Sequence, residues 1–392
     1  MLQAFFTGLA GLNTYSQSLD TVSNNIANMN TPGYRGTESF FKAIGGEQGQ
    51  SGLGAEISGQ GHRFSVGDIR QTGNEFDVAL TGNGFFVLMD DNNTYYTRSG
   101  KFDFNQDNVL IDTITGFKVA GIDDEGKLQE INLSNYQAIK PTASTSISLT
   151  GNLSPDDDTY QIPNATLINS LGEDVDVSIR FTNEKAIIPN RWRVEVLNDN
   201  GNVIHTESLL FGPDGTPSAG QGTFTFDLAD SSGNDTPVEV KIGQLGDFSG
   251  VTHTNSTGTD SNVSVLKSDG KPTGTLINRS FTDEGVIKLK YSNGDELTPL
   301  TLALADFDNI QSLELDSGTI FTASDNASRV LGRAGELRFS KLATKSVENS
   351  NVDLSQEFAD MLVIQRGYQA SSRVLNVANQ MIEQLYENTR GR

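Results

Sequence analysis

Both ends of the chain carry apolar residues at helical spacing. Near the start they follow one another at steps of three, four or seven, which predicts a helix over residues 2–28. Its apolar positions are Phe5, Leu9, Leu12, Leu19, Val22 and Ile26. Pro32 and Gly33 form a helix-breaking pair just beyond them, so the helix is expected to end before this pair.

The other end of the chain predicts a longer helix over residues 354–388. Asp353 stands where an N-terminal cap is expected, and Gln356 stands where its capping partner belongs. Residues at alternating steps of four and three form a first seam with coiled-coil spacing and polar interruptions: Leu354, Phe358, Met361, Gln365, Tyr368, Ser372, Leu375, Asn379 and Ile382. A second seam consists of Val363, Gly367, Ala370, Val374, Val377 and Met381.

Two seams on one helix need more than one partner. Pairing of the two terminal helices covers one seam only, and helices draw most of their stability from packing. We therefore expect the ends to pair as a coiled coil, to be poorly ordered in a lone molecule, and to order against further copies. Polymerisation and coiled-coil contacts are assigned to Phe5, Leu9, Leu12, Leu19, Ile26, Leu354, Phe358, Met361, Tyr368, Leu375, Val377 and Ile382.

Between the helices, short apolar stretches alternate with turns rich in Gly, Asn and Asp, which predicts β-hairpins. Residues 37–71, rich in Gly, Ser and Gln, are expected to form an extended linker or loose strands. The predicted fold class is mainly β, with two consecutive or inserted β-domains of barrel or meander type and paired terminal α-helices. The expected domains are a terminal helical domain (1–30 and 352–392), a linker (31–70 and 336–351), an inner β-domain (71–145 and 273–335) and an inserted outer β-domain (146–272).

Charge is distributed unevenly along the chain. The formal net charge is −22, yet residues 1–44 hold two basic and two acidic residues, and residues 351–392 hold four basic and five acidic. The β-rich middle therefore carries −21. Neutral ends can associate without repulsion while an acidic body stays soluble. The same charge argues against nucleic acid and anionic membranes as partners, because both need a basic face.

Composition excludes further classes of function. The chain has no cysteine, and therefore no disulfide or thiolate chemistry. No apolar run approaches the roughly 18 residues of a membrane helix, so no membrane insertion is expected. The first basic residue is Arg35, so the start lacks the basic segment of a secretory signal peptide. If the protein is exported, a different machine is expected to export it.

Three stretches resemble the axial proteins of the bacterial flagellum, the rod and hook family. "NNIANMNTPGY" resembles the N-terminal motif of that family, with Asn24, Asn25, Asn28, Thr31, Pro32, Gly33 and Tyr34 as its residues. "GNEFDVALTGNGFFVL" followed by "YYTRSGKFDFNQDNVLI" resembles its first core strands, and "SNVDLSQEFADMLVIQRGYQASSRVLNVANQMIEQL" its C-terminal helix. With its insertion at 146–272 the chain resembles the hook members of the family more than the rod members, because rod members are shorter. Tyr34-Arg35, where hook members often carry Phe-Lys, does not separate the two.

The resemblance implies a structural subunit of the hook, located in the flagellum outside the cell after export. Subunits would form a curved hollow tube, a universal joint that passes torque from the basal-body rod to the filament. The implied partners are copies of the chain itself in a helical homopolymer, the distal rod protein, the hook cap protein, the hook–filament junction protein and the flagellar type III export apparatus. No cofactor is implied. Gln380, Gln384 and Asn388 are candidates to line the channel.

Motifs for chemistry are weak. "GIDDEGKL" at 121–128 approaches a phosphate-binding loop but has leucine where that loop needs Ser or Thr, so a hairpin turn is expected. The histidines, His62, His205 and His253, are far apart and are expected at the surface, so no metal site is predicted. Trp192, the only tryptophan, is expected to pack in a core or at its edge. No catalytic motif stands out, and the protein is not expected to be an enzyme.

Three other functions stay open on the sequence. A distal rod subunit would form a straight, stiff tube. A β-rich adhesin or carbohydrate-binding protein would suit the acidic, turn-rich middle. An enzyme such as a glycoside hydrolase would need a pocket with convergent titratable groups. Removal of about 30 residues from the start and about 40 from the end should abolish assembly of a hook subunit but leave its β-domains folded, because each owns a core.

Overall fold

The computed structural model describes residues 2–45, 53–90, 93–123, 125–255, 260–323, 329–336 and 338–390. Two long helices stand at the ends of the chain and strands fill the region between them. The protein is thus mainly β, with N- and C-terminal helices that pack together, as the hydrophobic pattern predicts.

The helices are α1, Leu2–Ala27, and α2, Leu354–Arg390. Asp353 caps α2, since its carboxylate accepts the backbone N–H of Ser355 at 2.8 Å and of Gln356 at 3.3 Å. The capping role expected for the Gln356 side chain is wrong. Its amide donates instead to Asp360, one turn further on, at 3.0 Å, because an i,i+4 partner is within reach on the helix surface.

The strands follow in chain order. The first ten are β1 Thr37–Ile44, β2 Gly54–His62, β3 Ile69–Gln71, β4 Val78–Leu80, β5 Phe85–Asp90, β6 Asn93–Thr97, β7 Phe102–Phe104, β8 Leu110–Asp112, β9 Lys118–Ile122 and β10 Leu128–Glu130. The next ten are β11 Ala138–Ile139, β12 Ser146–Asn152, β13 Thr159–Ile168, β14 Asp174–Asn183, β15 Arg191–Leu197, β16 Val203–Leu210, β17 Thr223–Ala229, β18 Asp235–Lys241, β19 Val251–Thr252 and β20 Ser264–Ser268. The remainder are β21 Gly274–Phe281, β22 Val286–Tyr291, β23 Glu296–Leu302, β24 Leu304–Phe307, β25 Leu313–Ser317, β26 Ile320–Ala323, β27 Arg329–Gly332, β28 Leu342–Thr344 and β29 Ser346–Glu348.

The chain divides into two compact units. Unit 1 comprises Met1–Ser134, Arg279–Leu289 and Leu297–Arg392, and unit 2 comprises Asn135–Asn278 and Lys290–Glu296. Both helices belong to unit 1, so the two ends of the chain meet in one body.

Unit 1 is organised around β5, which pairs antiparallel with β6, β9 and β24. One apolar core lies under these strands and their neighbours: Phe85, Val87, Tyr96, Ala120, Ile122, Ala303, Ala305, Phe307, Leu313 and Phe321. Two short pairs, β3 with β29 and β4 with β28, join the segment after the β1–β2 hairpin to the segment before α2. These pairs bring chain segments from the two ends side by side.

Unit 2 contains two sheets that share one core. Strands β13 to β16 form an antiparallel sheet in chain order, and β12 joins β17, β18, β19 and β20 in the second sheet. Both sheets contribute to the core, among them Ile147, Ile179, Val194, Phe226 and Val238. Alternate residues of β17 are buried, the period of two that a strand with one covered face requires. Unit 2 is therefore a β-sandwich.

The structure corrects the expectation that all three histidines lie at the surface. His253 is buried beside Trp192 and Phe211 in unit 2. Its Nδ1 lies 3.0 Å from the Leu153 carbonyl oxygen and 3.3 Å from Trp192 Nε1. A histidine can fill an apolar site in this way when its polar atoms find partners. Trp192 is fully buried in the core, as the sequence predicts.

The segment at 121–128 forms the expected hairpin turn. Strands β9 and β10 pair antiparallel on either side of it, with Ile122 opposite Leu128. Asp124, within this turn, lies outside the described residues. So do Asp91 and Asn92, which belong to the turn expected between β5 and β6.

Candidate assembly interface

Helices α1 and α2 approach each other through small residues. A Cβ added at Gly11 would lie 2.6 Å from Ser371 Oγ, and one at Gly8 would lie 3.3 Å from the Ser371 carbonyl oxygen. On the facing helix, a Cβ at Gly367 would overlap the ring of Tyr15. Glycine lowers helix propensity, but here its missing side chain leaves room for the partner helix.

The β1–β2 hairpin covers a second side of α1. Thr14 Oγ1 donates to the Ala55 carbonyl oxygen at 2.7 Å. Gln60 Nε2 donates to Thr21 Oγ1 at 3.0 Å, and this hydroxyl also lies 3.1 Å from Ser39 Oγ. Thr14 and Thr21 are seven residues apart, which places them on one face of the helix. Helix α1 is therefore held between α2 and the hairpin.

Asn25, a residue of the N-terminal motif, joins the two ends of the chain. Its amide nitrogen donates to both carboxylate oxygens of Glu357 at 3.2 Å and to the Thr37 carbonyl oxygen at 2.9 Å. Its amide oxygen accepts the Thr37 N–H at 2.9 Å. Arg63 forms an ion pair with the same Glu357 carboxylate. Since Asn25 and Glu357 are buried, these partners offset the cost of burying the charge.

The neighbouring motif residues order the exit from α1. Asn28 Nδ2 donates to the Asn24 carbonyl oxygen at 3.0 Å, and Thr31 Oγ1 donates to Asn28 Oδ1 at 3.2 Å. Tyr34 is buried, its hydroxyl lies 3.4 Å from Asn25 Oδ1, and Asn24 Nδ2 donates to it at 3.3 Å. Burial raises the pKa of the Tyr34 phenol.

Pro32 and Gly33 turn the chain towards the segment before α2. Gly33 has a φ of 72°, in the left-handed region that favours glycine. It also packs against the backbone of Ser99 so closely that no Cβ would fit. Its N–H donates to the Glu348 carbonyl oxygen at 2.8 Å. A close backbone approach thus explains why this motif position is glycine.

A buried ion triad completes the junction of the chain ends. Glu348 Oε1 accepts from Arg35 Nη2 at 2.6 Å and from the Gly67 N–H at 2.8 Å, and Oε2 accepts from Arg98 Nε at 2.9 Å. Arg98 Nη1 also donates to the Gly84 carbonyl oxygen at 2.6 Å. Burial lowers the pKa of Arg98 to about 10, against the opposing effect of the Glu348 charge. Arg98 therefore stays charged at neutral pH.

The predicted contact residues fall into two groups in the structure. Those that are half-buried are Phe5, Leu12, Leu19, Ile26, Leu354, Met361, Leu375 and Ile382. Those that are exposed are Leu9, Phe358, Tyr368 and Val377. The face of α2 towards α1 includes Leu375 of the first predicted seam, close to Gly8, and Gly367 of the second, close to Tyr15. A period of 3.6 residues drifts relative to a seven-residue repeat, so the two seams are not separate faces.

Most of the second predicted seam of α2 stays open to solvent. Val363 is 68% exposed and Val377 is 49% exposed, and Ala370, Val374 and Met381 between and beyond them are exposed too. Leu385 extends this apolar strip towards the end of the helix. A contiguous apolar strip of this kind marks an interaction surface.

Sequence reasoning missed the charged residues of the junction. Arg35, Arg63, Arg98, Glu348 and Glu357 all have buried or partly buried charges. Charged residues are mostly exposed, and their partners lie far away in sequence: Arg35 and Glu348 are 313 residues apart. The one available signal is the position of Arg35 directly after the motif.

The described residues contain no cluster of acidic and histidine side chains able to hold a metal ion. Within the same residues, neither helix has the length and apolarity needed to cross a membrane.

Three family models match the chain, in order along it. "Flagella basal body rod protein" matches residues 6–35, "Flagellar hook protein FlgE/F/G D1 domain" matches residues 79–155, and "Flagellar basal body rod FlgEFG protein C-terminal" matches residues 343–387. The first covers most of α1 and the motif, and the third covers Glu348 and most of α2.

Relatives match over nearly the whole chain. The flagellar hook protein FlgE of Escherichia coli K12 is 28% identical over 97% of this chain and 99% of its own. That of Salmonella typhimurium LT2 is 28% identical over the same shares, and that of Borreliella burgdorferi is 26% identical over 98% and 99%. The crystal structure of Helicobacter pylori FlgE2 aligns at 15% identity over 71% of this chain and 100% of its own, with a TM-score of 0.47, too low to add to the assignment. The family matches, in order along the chain, and the relatives aligned over nearly its whole length together make this chain similar to flagellar hook proteins from end to end.

Proposed function

We propose that this hook subunit assembles into the wall of a hollow tube through the exposed seam of α2, which neighbouring copies cover. The observation that carries the proposal is the apolar strip from Val363 to Leu385, still open after α1 has packed on α2. Helices gain most of their stability from packing, and knobs-into-holes contacts are directional. A second copy of the chain supplies helices of matching periodicity.

The proposed tube acts as a universal joint between rod and filament. A bendable joint needs a directional helical layer and further contacts that re-form easily. The acidic, Asn- and Ser-rich surface of unit 2 supports wet, polar contacts of the second kind, because bridging waters replace direct hydrogen bonds at little cost. Gln380, Gln384 and Asn388, all exposed on α2, would present polar side chains to a channel.

The other proposed partners are the distal rod protein, the hook cap protein, the hook–filament junction protein and the flagellar type III export apparatus. Their support is the match of the chain ends to family models of rod and hook proteins. Rod and hook subunits with similar ends can continue one helical layer from one protein to the next.

The substitution Val377→Asp tests the assembly proposal. It places a carboxylate in the open seam, where assembly would bury it unpaired at a cost of several kcal/mol. Because Val377 is exposed in the single chain, the variant should keep the circular dichroism and melting curve of the parent. Electron microscopy and sedimentation should show tubes for the parent and monomers for Val377→Asp.

Asn376→Asp is the matched control. Asn376 is exposed and precedes Val377 directly but lies off the seam, so this variant should assemble as the parent does. Tubes formed by Val377→Asp at parental concentration would contradict the proposal. Failure of the parent to assemble under any condition would contradict it as well.

A further inference from the structure

The open seam of α2 is edged by two arginines. Arg366 and Arg373 are seven residues apart, and each directly precedes a seam position, Gly367 or Val374. In coiled coils, charged side chains in this flanking place reach across to the partner and set its identity and register. Residues 361–382 contain these two cations and no Asp or Glu, an exception within a chain of net charge −22.

Neither arginine has a carboxylate partner within the part of the chain that the structure describes. Both side chains are exposed, whereas Arg35, Arg63 and Arg98 in the same unit all form ion pairs. The guanidinium group offers a planar set of donors that suits a carboxylate. The edge of the seam is thus apolar and basic, and its matching surface should be apolar and acidic.

A groove with that chemistry lies elsewhere on unit 1, between α1, the β1–β2 hairpin and β25. Its volume is about 870 Å³, and its lining residues include the acidic Asp20 and Glu314 together with Phe40 and Leu315. Phe40 and Leu315 are exposed. Asp20 is the only charged residue of α1. Among the described residues neither carboxylate forms an ion pair, so the groove also offers unpaired charge.

We infer that the basic edge of α2 in one copy docks in the acidic groove of a second copy, with Arg366 and Arg373 facing Asp20 and Glu314. The inference rests on the proposed function and names the surface that covers the seam. The spacing of the arginines, about 10 Å along the helix axis, lets both enter one groove. The two docked surfaces differ, so one copy keeps its groove free and the other keeps its α2 edge free. The contact can therefore repeat along an open assembly without closing into a ring.

Charge reversal followed by charge exchange tests this contact. R366E/R373E places four carboxylates together, and D20R/E314R places four guanidinium groups together. Each double variant should raise the subunit concentration at which tubes appear about tenfold or more, because like charges that face each other repel. The quadruple variant with both pairs exchanged should restore assembly to near the parental concentration.

A charge-matched control and a fold measurement accompany these variants. Lys140→Glu with Lys267→Glu makes the same change in net charge as R366E/R373E at exposed sites of unit 2, and it should assemble close to the parent. Circular dichroism melting of each variant should match the parent, since all four exchanged residues are exposed and form no ion pair among the residues that the structure describes.

The outcomes separate this inference from the proposed function. Normal assembly of R366E/R373E would overturn the inference and leave the assembly proposal standing, provided that Val377→Asp still blocks tubes. Loss of tube assembly in both double variants, without recovery of assembly in the quadruple variant, would also overturn the inference. The charges would then act on other surfaces. Assembly of Val377→Asp would contradict the proposed function itself.

Discussion

At the scale of single residues, the junction of the chain ends depends on charged side chains that are buried from solvent. Glu348 and its arginines Arg35 and Arg98 are no more than 3% exposed in their side chains. A buried ion of this kind is tolerated only while every partner stays in place. The triad therefore makes the segments around positions 35, 98 and 348 fold together or not at all.

Glu348→Gln should destabilise unit 1 by about 3–5 kcal/mol, because it leaves two buried guanidinium groups without a counter-charge. Glu75→Gln is the matched control. Glu75 pairs with Lys345 at an exposed site, where loss of an ion pair costs about 1 kcal/mol or less. Denaturant unfolding followed by circular dichroism measures both, and equal effects would contradict the role assigned to the triad.

His253 should make the stability of unit 2 depend on pH. Burial lowers its pKa below the ordinary value of 6.5, so the unfolded chain binds the proton first as the pH falls. The contribution of neutral His253 to the free energy of unfolding is complete above pH 6.5. It declines as the pH falls from 6.5 to the lower pKa of His253 in the folded protein. Trp192, the only tryptophan, lies beside it and reports unfolding of this unit by fluorescence.

His253→Asn should flatten that pH dependence, whatever its effect on stability at neutral pH. The control is His62→Asn, which changes a histidine of unit 1. The pH dependence of unfolding reported by Trp192 fluorescence should be the same in this variant as in the parent. If the stability of unit 2 in His253→Asn changed with pH as steeply as in the parent, another group would be titrating in this pH range.

At the scale of elements, α2 serves two partners with different faces. One face meets α1 through glycine and serine, and the adjoining face presents aliphatic residues to solvent. Hydrophobic periodicity predicted both helices and their pairing. It did not predict which residues touch, because the contact uses Gly8, Gly11 and Ser371, residues that a search for apolar positions passes over.

Leu375→Asp and Val377→Asp should fail in different ways although they lie two residues apart. Leu375 is half-buried, and its Cβ lies 3.5 Å from the Cβ that would extend Gly8 of α1. A carboxylate there should separate the helix pair within one chain and lower helical circular dichroism. Val377→Asp should leave that signal unchanged and affect assembly alone. The same loss of helix signal in both variants would contradict the division of faces.

At the scale of the whole molecule, the two units depend on the chain ends to different degrees. Unit 2 has its own core of two sheets. Unit 1 has a β-core and, in addition, the helix pair tied to it through Asn25, Glu357 and the triad. Removal of the helices should therefore spare the cores, since Arg35, Arg98 and Glu348 all lie outside the removed segments.

A chain of residues 31–351 should remain folded and monomeric and form no tubes. Its Trp192 unfolding transition should coincide with that of the full chain, and its circular dichroism should lack the helical contribution of α1 and α2. Sedimentation and fluorescence check these outcomes. Tube formation by the shortened chain would show that the β-units, not the helices, hold the polymer together.

The local pattern of residues was enough to predict much of this protein's structure. Spacing of apolar residues located α1, α2 and the strand-rich middle, and the motif at 24–34 indicated the family. These features depend on residues close together in sequence, where helical and strand periodicities leave a direct trace. The buried position of His253 could not be found in this way, because it depends on Trp192 and Leu153, which lie in other strands and loops.

Residue order alone was enough to place the helices and strands, the acidic middle between neutral ends, and the resemblance to rod and hook proteins. The way in which the ends are joined emerged from the folded chain: the glycine-lined helix contact, the Glu348 triad, and the division of α2 into a covered face and an open one. Each of these is a contact between segments hundreds of residues apart. Periodicity shows that a face is apolar, but which surface covers it depends on where the fold brings the distant segments.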